Sequence, residues 1–325
     1  KLQANEASII VAGGVESMSN FPILVSKPYR DWLTAFSKAR SFKDRLKLVF
    51  NFRFHFLKPD KPKIADPLCG LTMGDTAEIL SKEFRVTRKE QDEFAFLSQK
   101  RASNAQKTGV FAEEIVGVPL PPNFDRIQEF DDGIREGQSL EELANLKPIF
   151  NPLTGTVTAG TSSQVPDGAA VLLLCTESEL QRLGKKPLGY VRGFTQVGLD
   201  PRKMGLGPAY AIAKLLRENQ LSLEEVDLIE INEAFASQVI AVKKALASPE
   251  FAKKELGLES PVGIIREDQL NVNGGATAIG HPLGASGARL ILTLLKELER
   301  RNLKRGIAAL CIGGGQGEAC IVEVE

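Results

Sequence analysis

The sequence predicts an α/β fold with mixed sheets, and three observations carry that expectation. Short apolar runs alternate with longer amphipathic ones, the pattern of strands packed against helices. Helix-start signals recur along the chain: Thr87 with Glu90, Thr176 with Glu179, and Ser222 with Glu225. Each sets a hydroxyl three residues ahead of a glutamate, so that both can satisfy free backbone N–H groups. Glycine clusters stand where apolar runs end, at Gly13-Gly14 and Gly313-Gly314-Gly315.

In chain order, residues 8–12 read as a short buried strand running into the first glycine pair. Residues 27–63 are basic and aromatic without a clear core period. Helices are expected at 74–84 and 88–108, the second capped by Thr87 and stopped by Gly109. Residues 117–150, rich in Pro and Asp, read as loop, and 154–175 as two strand-like runs around a polar turn. A strand at 226–231 precedes a helix after Asn232. Residues 286–301 are amphipathic, with Leu290, Leu294 and Leu298 on one stripe beside Ile291 and Leu295. The end, 306–325, reads as strand, glycine turn, strand. Its likeness to residues 9–14 fits a fold of two similar halves.

Composition narrows the function classes. The 325 residues are 43% hydrophobic and 25% charged with no net charge, which suits a globular chain and argues against nucleic acid as partner. Four cysteines without a CxxC pair make no disulfide framework or zinc site, and point to a reducing compartment. No apolar run reaches membrane-span length. The first residue is Lys1, and the opening reads like a helix end entering a strand, so the beginning looks cut.

Chemistry concentrates in three places. Residues 271–287, NVNGGATAIGHPLGASG, form a glycine-rich stretch around His281, one of two histidines. Locally, His281 is either a base or oxyanion donor, or a loop histidine that caps something. Residues 308–317 carry Cys311 at a strand end before a glycine turn. The thiol is either reactive or a small hydrophobe in the core. Residues 230–235, EINEAF, place Asn232 and Glu233 where a strand gives way to a helix. Asn232 is there either a ligand-facing side chain or a helix cap. No GxxxxGK[ST] phosphate loop occurs.

NEAF, GHPLGASG and CIGGGQG follow one another here as they do in the thiolases. VAGGVESMS and GTVTAGTSSQVPDGAA also resemble thiolase segments, so the likeness covers essentially the whole chain. It implies two similar βαβαβαββ halves stacked in five layers (αβαβα), with an inserted loop domain. Residues 1–25 and 154–186 would be the first half, incomplete in this chain, 26–153 the loop domain and 187–325 the second half. The implied activity is acyl transfer: reversible thiolytic cleavage of 3-ketoacyl-CoA to acetyl-CoA and a shortened acyl-CoA, or the reverse Claisen condensation. It runs through a cysteine acyl-enzyme, with no permanently bound cofactor or metal and with coenzyme A as substrate.

The resemblance also assigns roles. His281 matches the histidine that activates the nucleophile and holds the thioester oxygen, and Asn232 the asparagine that positions a water beside it. Cys311 matches the acid/base cysteine, and Gly313 the residue whose N–H completes a second oxyanion hole. Ser163, Met73, Phe150 and Phe235 match positions lining the pantetheine channel. A free thiol, with a pKa of about 8.5, needs such a base to form thiolate at neutral pH. In the family the nucleophilic cysteine lies roughly one helix before the VAGG strand. The chain begins ten residues before Val11, and Cys69, Cys175 and Cys320 lack the family's flanking sequence. The nucleophile is therefore expected upstream of Lys1.

Within the family, FKDRLKLVFNFRFHFLKPD resembles trifunctional-protein beta subunits, whereas NEAF and CIGGG resemble ordinary acetoacetyl-CoA and 3-ketoacyl-CoA thiolases. Thr72 stands where many short-chain members have histidine. A non-catalytic acyl-CoA-binding or scaffold relative is the alternative reading; a decarboxylating or HMG-CoA-synthase-like relative is opposed by Cys311-Ile312-Gly313. The family implies a homodimer or dimer of dimers, in the bacterial cytoplasm or the mitochondrial matrix. Residues 38–63 hold nine Lys or Arg against two Asp. The spacing of Phe50, Phe52, Phe54 and Phe56 predicts an extended strand with its rings on one face, after a helix face of Phe42, Leu46 and Val49. This segment is either a solvated face of the loop domain, a CoA clamp, or a docking surface for an anionic membrane or a hydratase/dehydrogenase partner subunit.

Overall fold

The computed structural model describes residues 1–20, 24–59 and 65–325. In chain order the first elements are β1 (Ile9–Glu16), α1 (Lys27–Lys38), α2 (Phe42–Asn51), α3 (Met73–Glu83) and α4 (Arg88–Lys107). A two-residue strand pair, β2 (Val118–Pro119) and β3 (Ile127–Gln128), precedes α5 (Leu140–Ala144), β4 (Gly168–Cys175) and α6 (Glu177–Leu183). Then follow β5 (Tyr190–Gly198), α7 (Gly207–Glu218), β6 (Leu228–Ile231), α8 (Ala236–Leu246), α9 (Pro249–Phe251) and α10 (Ala276–Ile279). The chain closes with α11 (Ser286–Arg301), β7 (Arg305–Ile312) and β8 (Gln316–Glu323). Two compact units separate, Lys1–Met18 with Asp66–Glu325, and Ser19–Ala65.

The larger unit is layered. Its main sheet has the order β5-β8-β7-β6, with β6 and β7 parallel and the other pairs antiparallel. Both faces are covered, so alternate side chains enter different cores. Ile229, Ile231, Ile307, Ala309, Ala319 and Ile321 join the core formed with α7 and α8. Leu228, Ala308 and Val322 pack with Leu290, Leu294, Leu295 and Leu298 of α11, the stripe read from the sequence. The other side of α11 lies on the antiparallel β1–β4 pair. Helices, sheet, helix and strand pair thus succeed one another. The outward face of the strand pair carries Val11, Val15, Val171 and Leu173, exposed at 70, 72, 61 and 66%.

Three expectations are corrected. β1 does not stop at its glycines but runs through them to Glu16, because Gly13 and Gly14 pair with Val171 and Ala170. Only 168–175 of the 154–175 region is strand. Upstream, the buried Glu78 carboxylate accepts from Thr156 N and Val157 N, both 2.9 Å from Oε1. Thr158 and Thr161 hydroxyls then accept from each other's backbone N in a single 3₁₀ turn, and isolated bridges, Pro148 with Thr158 and Ser162 with Phe235, take the place of a ladder. Residues 117–150 are not all loop: a capping box at Ser139 and Glu142 starts α5. Elsewhere the predicted helices stand within a residue of their expected ends, including the Thr87–Glu90 capping box.

The smaller unit is a helical hairpin. Ser26 caps α1 and Ser41 caps α2. Trp32 stacks on Tyr29 and Phe36, and Phe52 meets Trp32 edge-on at 4.9 Å. Trp32 Nε1 donates to Leu48 O at 2.8 Å, and Ser26 Oγ to Phe56 O at 2.6 Å. The phenylalanines at 50–56 do not form a strand. α2 ends at Asn51 and a 3₁₀ turn covers Phe54–Leu57, so Phe52 points into the ring cluster while Phe50 and Phe54 are exposed. Phe42, Leu46 and Val49 share the expected helix face and are exposed too. Asp60, Lys61 and Lys63 of the basic segment lie outside the described residues. No helix among the described residues is long and apolar enough to cross a membrane.

Candidate active site

The parallel strands β6 and β7 deliver the site at their C-terminal ends, where open α/β sheets gather ligands. After Ile231 the chain runs on extended, and Asn232 N donates to Ala309 O on β7 at 3.0 Å. The N-cap of α8 is Phe235, so Asn232 is not a helix cap. Its side chain is fully buried, and Nδ2 lies 3.3 Å from His281 Nε2. Asn232 Oδ1 is buried without a hydrogen-bond partner among the described residues, which leaves an acceptor for a water or ligand.

His281 is held at three points. Its backbone N donates to Gln164 O at 3.1 Å. Its Nδ1 is 2.6 Å from Ser286 Oγ, and that hydroxyl donates to Pro282 O at 3.1 Å. A hydroxyl already donating elsewhere accepts from Nδ1–H, so we assign the neutral tautomer with a free Nε2 lone pair, toward which Asn232 donates. Burial, reinforced by the charge of Arg289, pushes the imidazole down to about 4, so it is a neutral base at pH 7.

The loop carrying His281 is shaped by Glu233. This fully buried carboxylate accepts from Ser98 Oγ at 2.6 Å, Thr277 N at 3.1 Å and Asn271 Nδ2 at 2.8 Å. Asn271 in turn bonds Ile231 N and O, as a side-chain extension of the sheet. Gly275 is required by this arrangement, because a Cβ there would stand 2.6 Å from Glu233 Cδ.

Cys311 sits one residue before the end of β7, buried with Met73, Phe150, Ala234 and Phe235. Burial pushes its thiol up to about 12, so it is protonated at rest. Phe150 and Phe235 meet edge-on at 5.9 Å, and Gly74 leaves room on α3 for the Phe150 ring. Ser163 N donates to Ala234 O at 2.9 Å. Met73 Sδ would be 3.7 Å from a Cβ on Gly313. Met73, Phe150, Phe235 and Cys311 thus share one cluster, Gly313 adjoins Met73, Ser163 bonds the backbone beside Phe235, and Asn232 and His281 meet each other. Cys175 lies at the end of β4, Cys320 within β8 and Cys69 in a turn before α3. Among the described residues no group of His, Cys, Asp and Glu is arranged to hold a metal ion.

Sequence reading named Glu233 at the strand-to-helix junction without a role, and missed Ser286. Ser286 had a local signal, a hydroxyl five residues past His281 at the start of α11. The partners of Glu233 are distant in sequence and had none.

Residues 1–178 match the family described as thiolase, N-terminal domain, and 185–324 the one described as thiolase, C-terminal domain. The 3-ketoacyl-CoA thiolase of Serratia proteamaculans (strain 568) is 42% identical over 325 residues, covering 100% of this chain and 74% of that protein. The mitochondrial trifunctional enzyme subunit beta of Homo sapiens is 39% identical over 324 residues, covering 99% and 67%. Among solved structures, human mitochondrial 3-ketoacyl-CoA thiolase in complex with CoA superposes with TM-score 0.80 at 33% identity, over 99% of this chain and 72% of that one. The Bacillus anthracis acetyl-CoA acetyltransferase gives 0.80 at 35%, over 99% and 73%. With both family domains matched in order along the chain and the likeness spanning its whole length, this chain belongs to the thiolase family.

Proposed function

We propose that the chain is the catalytic body of an acyltransferase that cleaves 3-ketoacyl-CoA with coenzyme A, reversibly, to acetyl-CoA and a shortened acyl-CoA. The observation that carries the reading is the convergence of a neutral base and a protonated thiol, His281 and Cys311, around the ends of β6 and β7. Environments that push two titratable groups apart assign the base and the acid.

In this mechanism His281 Nε2 takes the proton of a nucleophilic cysteine. The thiolate attacks the C3 carbonyl, and His281, now an Nε2–H donor, holds the oxyanion with a water placed by Asn232. The C2–C3 bond breaks and its electron pair becomes the acetyl-CoA enolate. Cys311 gives C2 its proton, and the Gly313 N–H stabilises the enolate oxygen. The resulting Cys311 thiolate takes the proton of the incoming CoA thiol, whose sulfur attacks the acyl-enzyme; the enzyme thioester bond breaks, the shortened acyl-CoA leaves, and the nucleophilic cysteine regains its proton from His281. Met73, Phe150, Phe235 and Ser163 line the pantetheine path. The acyl-accepting cysteine is proposed to be none of Cys69, Cys175 and Cys320, which lie in other elements.

The test is thiolysis by the complete gene product, comparing wild type with Cys311→Ser and Asn232→Ala. Undiminished turnover in both variants would end this assignment. The proposed boundaries keep 26–153 as the loop domain between the two parts of the first half. Assembly as a homodimer or dimer of dimers is proposed, with the bacterial cytoplasm or mitochondrial matrix as compartment.

A second reading concerns the hairpin, whose exposed Phe42, Leu46, Val49 and Phe50 are flanked by Lys43, Arg45 and Lys47. Apolar rings beside cations suit an anionic membrane surface, and that is the docking partner proposed. A subunit carrying hydratase and dehydrogenase activities is the competing partner. Liposome flotation of the protein alone distinguishes them, because retention by neutral and anionic vesicles alike, or by neither, removes the membrane.

A further inference from the structure

The turn between β7 and β8 must be both unusual in shape and fixed in place. Gly314 and Gly315 have φ of +86° and +78°, and a Cβ on Gly315 would lie 2.2 Å from Leu199 O. Glycine is therefore required, yet three consecutive glycines are the least restrained backbone a chain can have. Something outside the turn must hold it.

Two grips do so. Leu199 N donates to Gly315 O at 2.8 Å. Opposite, Gly314 N donates to Asp66 Oδ2 at 2.5 Å across 248 residues of sequence. Asp66 is 3% exposed and is itself anchored. Its N donates to Leu71 O at 2.8 Å, its O accepts from Gly70 N at 2.7 Å, and its Oδ1 accepts from Leu68 N at 2.8 Å. One carboxylate oxygen thus closes the residue's own turn while the other reaches the glycines. An ionised acceptor on a peptide N–H is stronger and more directional than a neutral one. With Gly314 N–H turned toward Asp66, the neighbouring peptide of Gly313 has its orientation set as well.

We propose that Asp66 is a positioning residue for the proton-transfer half of the reaction: its carboxylate aims the Gly313–Gly315 turn so that Cys311 and the Gly313 N–H meet the enolate. The proposal rests on the roles given above to Cys311 and Gly313. It separates the Cys311 side of the site from the His281 side, because the His281 frame shares none of these bonds.

The experiment is Asp66→Ala in the complete gene product, with thiolytic turnover and the reactivity of the nucleophilic cysteine measured apart. Thiolytic turnover should fall on the order of tenfold to a hundredfold, the effect of misplacing a reacting group by a fraction of an ångström to one ångström. KM for CoA should stay within about twofold, and alkylation of the nucleophilic cysteine by iodoacetamide, which draws on His281 and takes no proton from Cys311, should keep its wild-type rate. Hydrogen exchange at the Gly314 amide should accelerate. Asp66→Asn is isosteric but offers one acceptor to two N–H donors, so it should fall between wild type and alanine. It carries the same test if the alanine variant does not fold. Equal losses in turnover and in alkylation, or no loss in either, would overturn the proposal. Unimpaired turnover in Cys311→Ser would instead remove the reading on which it stands.

Discussion

Around His281 and Cys311 the frame is made of buried polar groups, each with named partners. Glu233 alone joins α4, α10 and, through Asn271, the end of β6. In the α1–α2 hairpin neither helix buries a side chain, and stacked rings hold the two together. A buried hydrogen-bonded frame places atoms to within tenths of an ångström, and losing one partner strands another in a buried position. A ring-stacked hairpin with exposed faces tolerates change but presents a surface. The first design suits chemistry and the second suits contact.

That contrast can be broken at several points. The largest effect is expected at Cys311→Ser, which should cut thiolysis by roughly a hundredfold to ten-thousandfold, the range for losing a general acid. Alkylation of the nucleophilic cysteine by iodoacetamide should persist, and loss of both together would mean that Cys311 supports the fold rather than the proton transfer. Next comes Glu233→Ala, which strands Ser98, Asn271 and the Thr277 N–H. Destabilisation of about 3 kcal/mol in urea unfolding is expected, and a value near zero would show that the frame is not a frame.

The pH dependence has a definite sign. His281 takes up a proton near 6.5 when unfolded and near 4 when folded. Between those values the unfolded chain binds more protons. The contribution is complete above about 6.5 and is lost as pH falls through about 4. Glu230, pushed up to about 8 by burial despite Arg289, tilts stability the opposite way as pH rises from 4.5 to 8. The difference between wild type and His281→Asn isolates the histidine, and identical acid limbs in the two proteins would contradict its buried neutral state.

In the hairpin, replacing Lys43, Arg45, Lys47 and Arg53 with Gln should weaken binding to anionic vesicles on the order of tenfold at low salt, with the loss shrinking at high salt. If only KM for CoA rises, the segment is a CoA clamp. The smallest effect is expected for Phe50→Ala, which should change folding stability by less than about 0.5 kcal/mol, as for an exposed side chain. A cost of several times that would place Phe50 in a core and end the comparison.

Much of the site was legible because its chemistry lies in short motifs at element ends. His281, Asn232 and Cys311 each stand where a periodic run meets glycines or a polar break. The amphipathic stripe of α11 and the capping boxes at Thr87–Glu90 and Ser222–Glu225 are local as well and fell where expected, while Thr176 caps α6 alone, because Glu179 turns to Arg182 instead. What stayed hidden is non-local. Nothing near Glu78 announces that its carboxylate takes the N–H groups of Thr156 and Val157, so that region read as strand. The alternation Phe50–Phe56 misled for a different reason. A helix end followed by a 3₁₀ turn gives the same spacing as a strand, and periodicity over seven residues does not separate the two.

The glycine at position 14 carries one more implication. A Cβ there would stand 2.0 Å from Gly284 O, and one on Gly168 would stand 2.6 Å from Pro282. The loop that holds His281 is therefore seated on bare backbone of β1 and β4, with glycine as its only clearance. By sequence the chain divides cleanly into the family domains 1–178 and 185–324. Mechanically it does not, because the histidine of the second domain rests on a floor laid by the first. Neither domain is a self-sufficient module, and exchange of one between relatives carries the histidine's alignment with it.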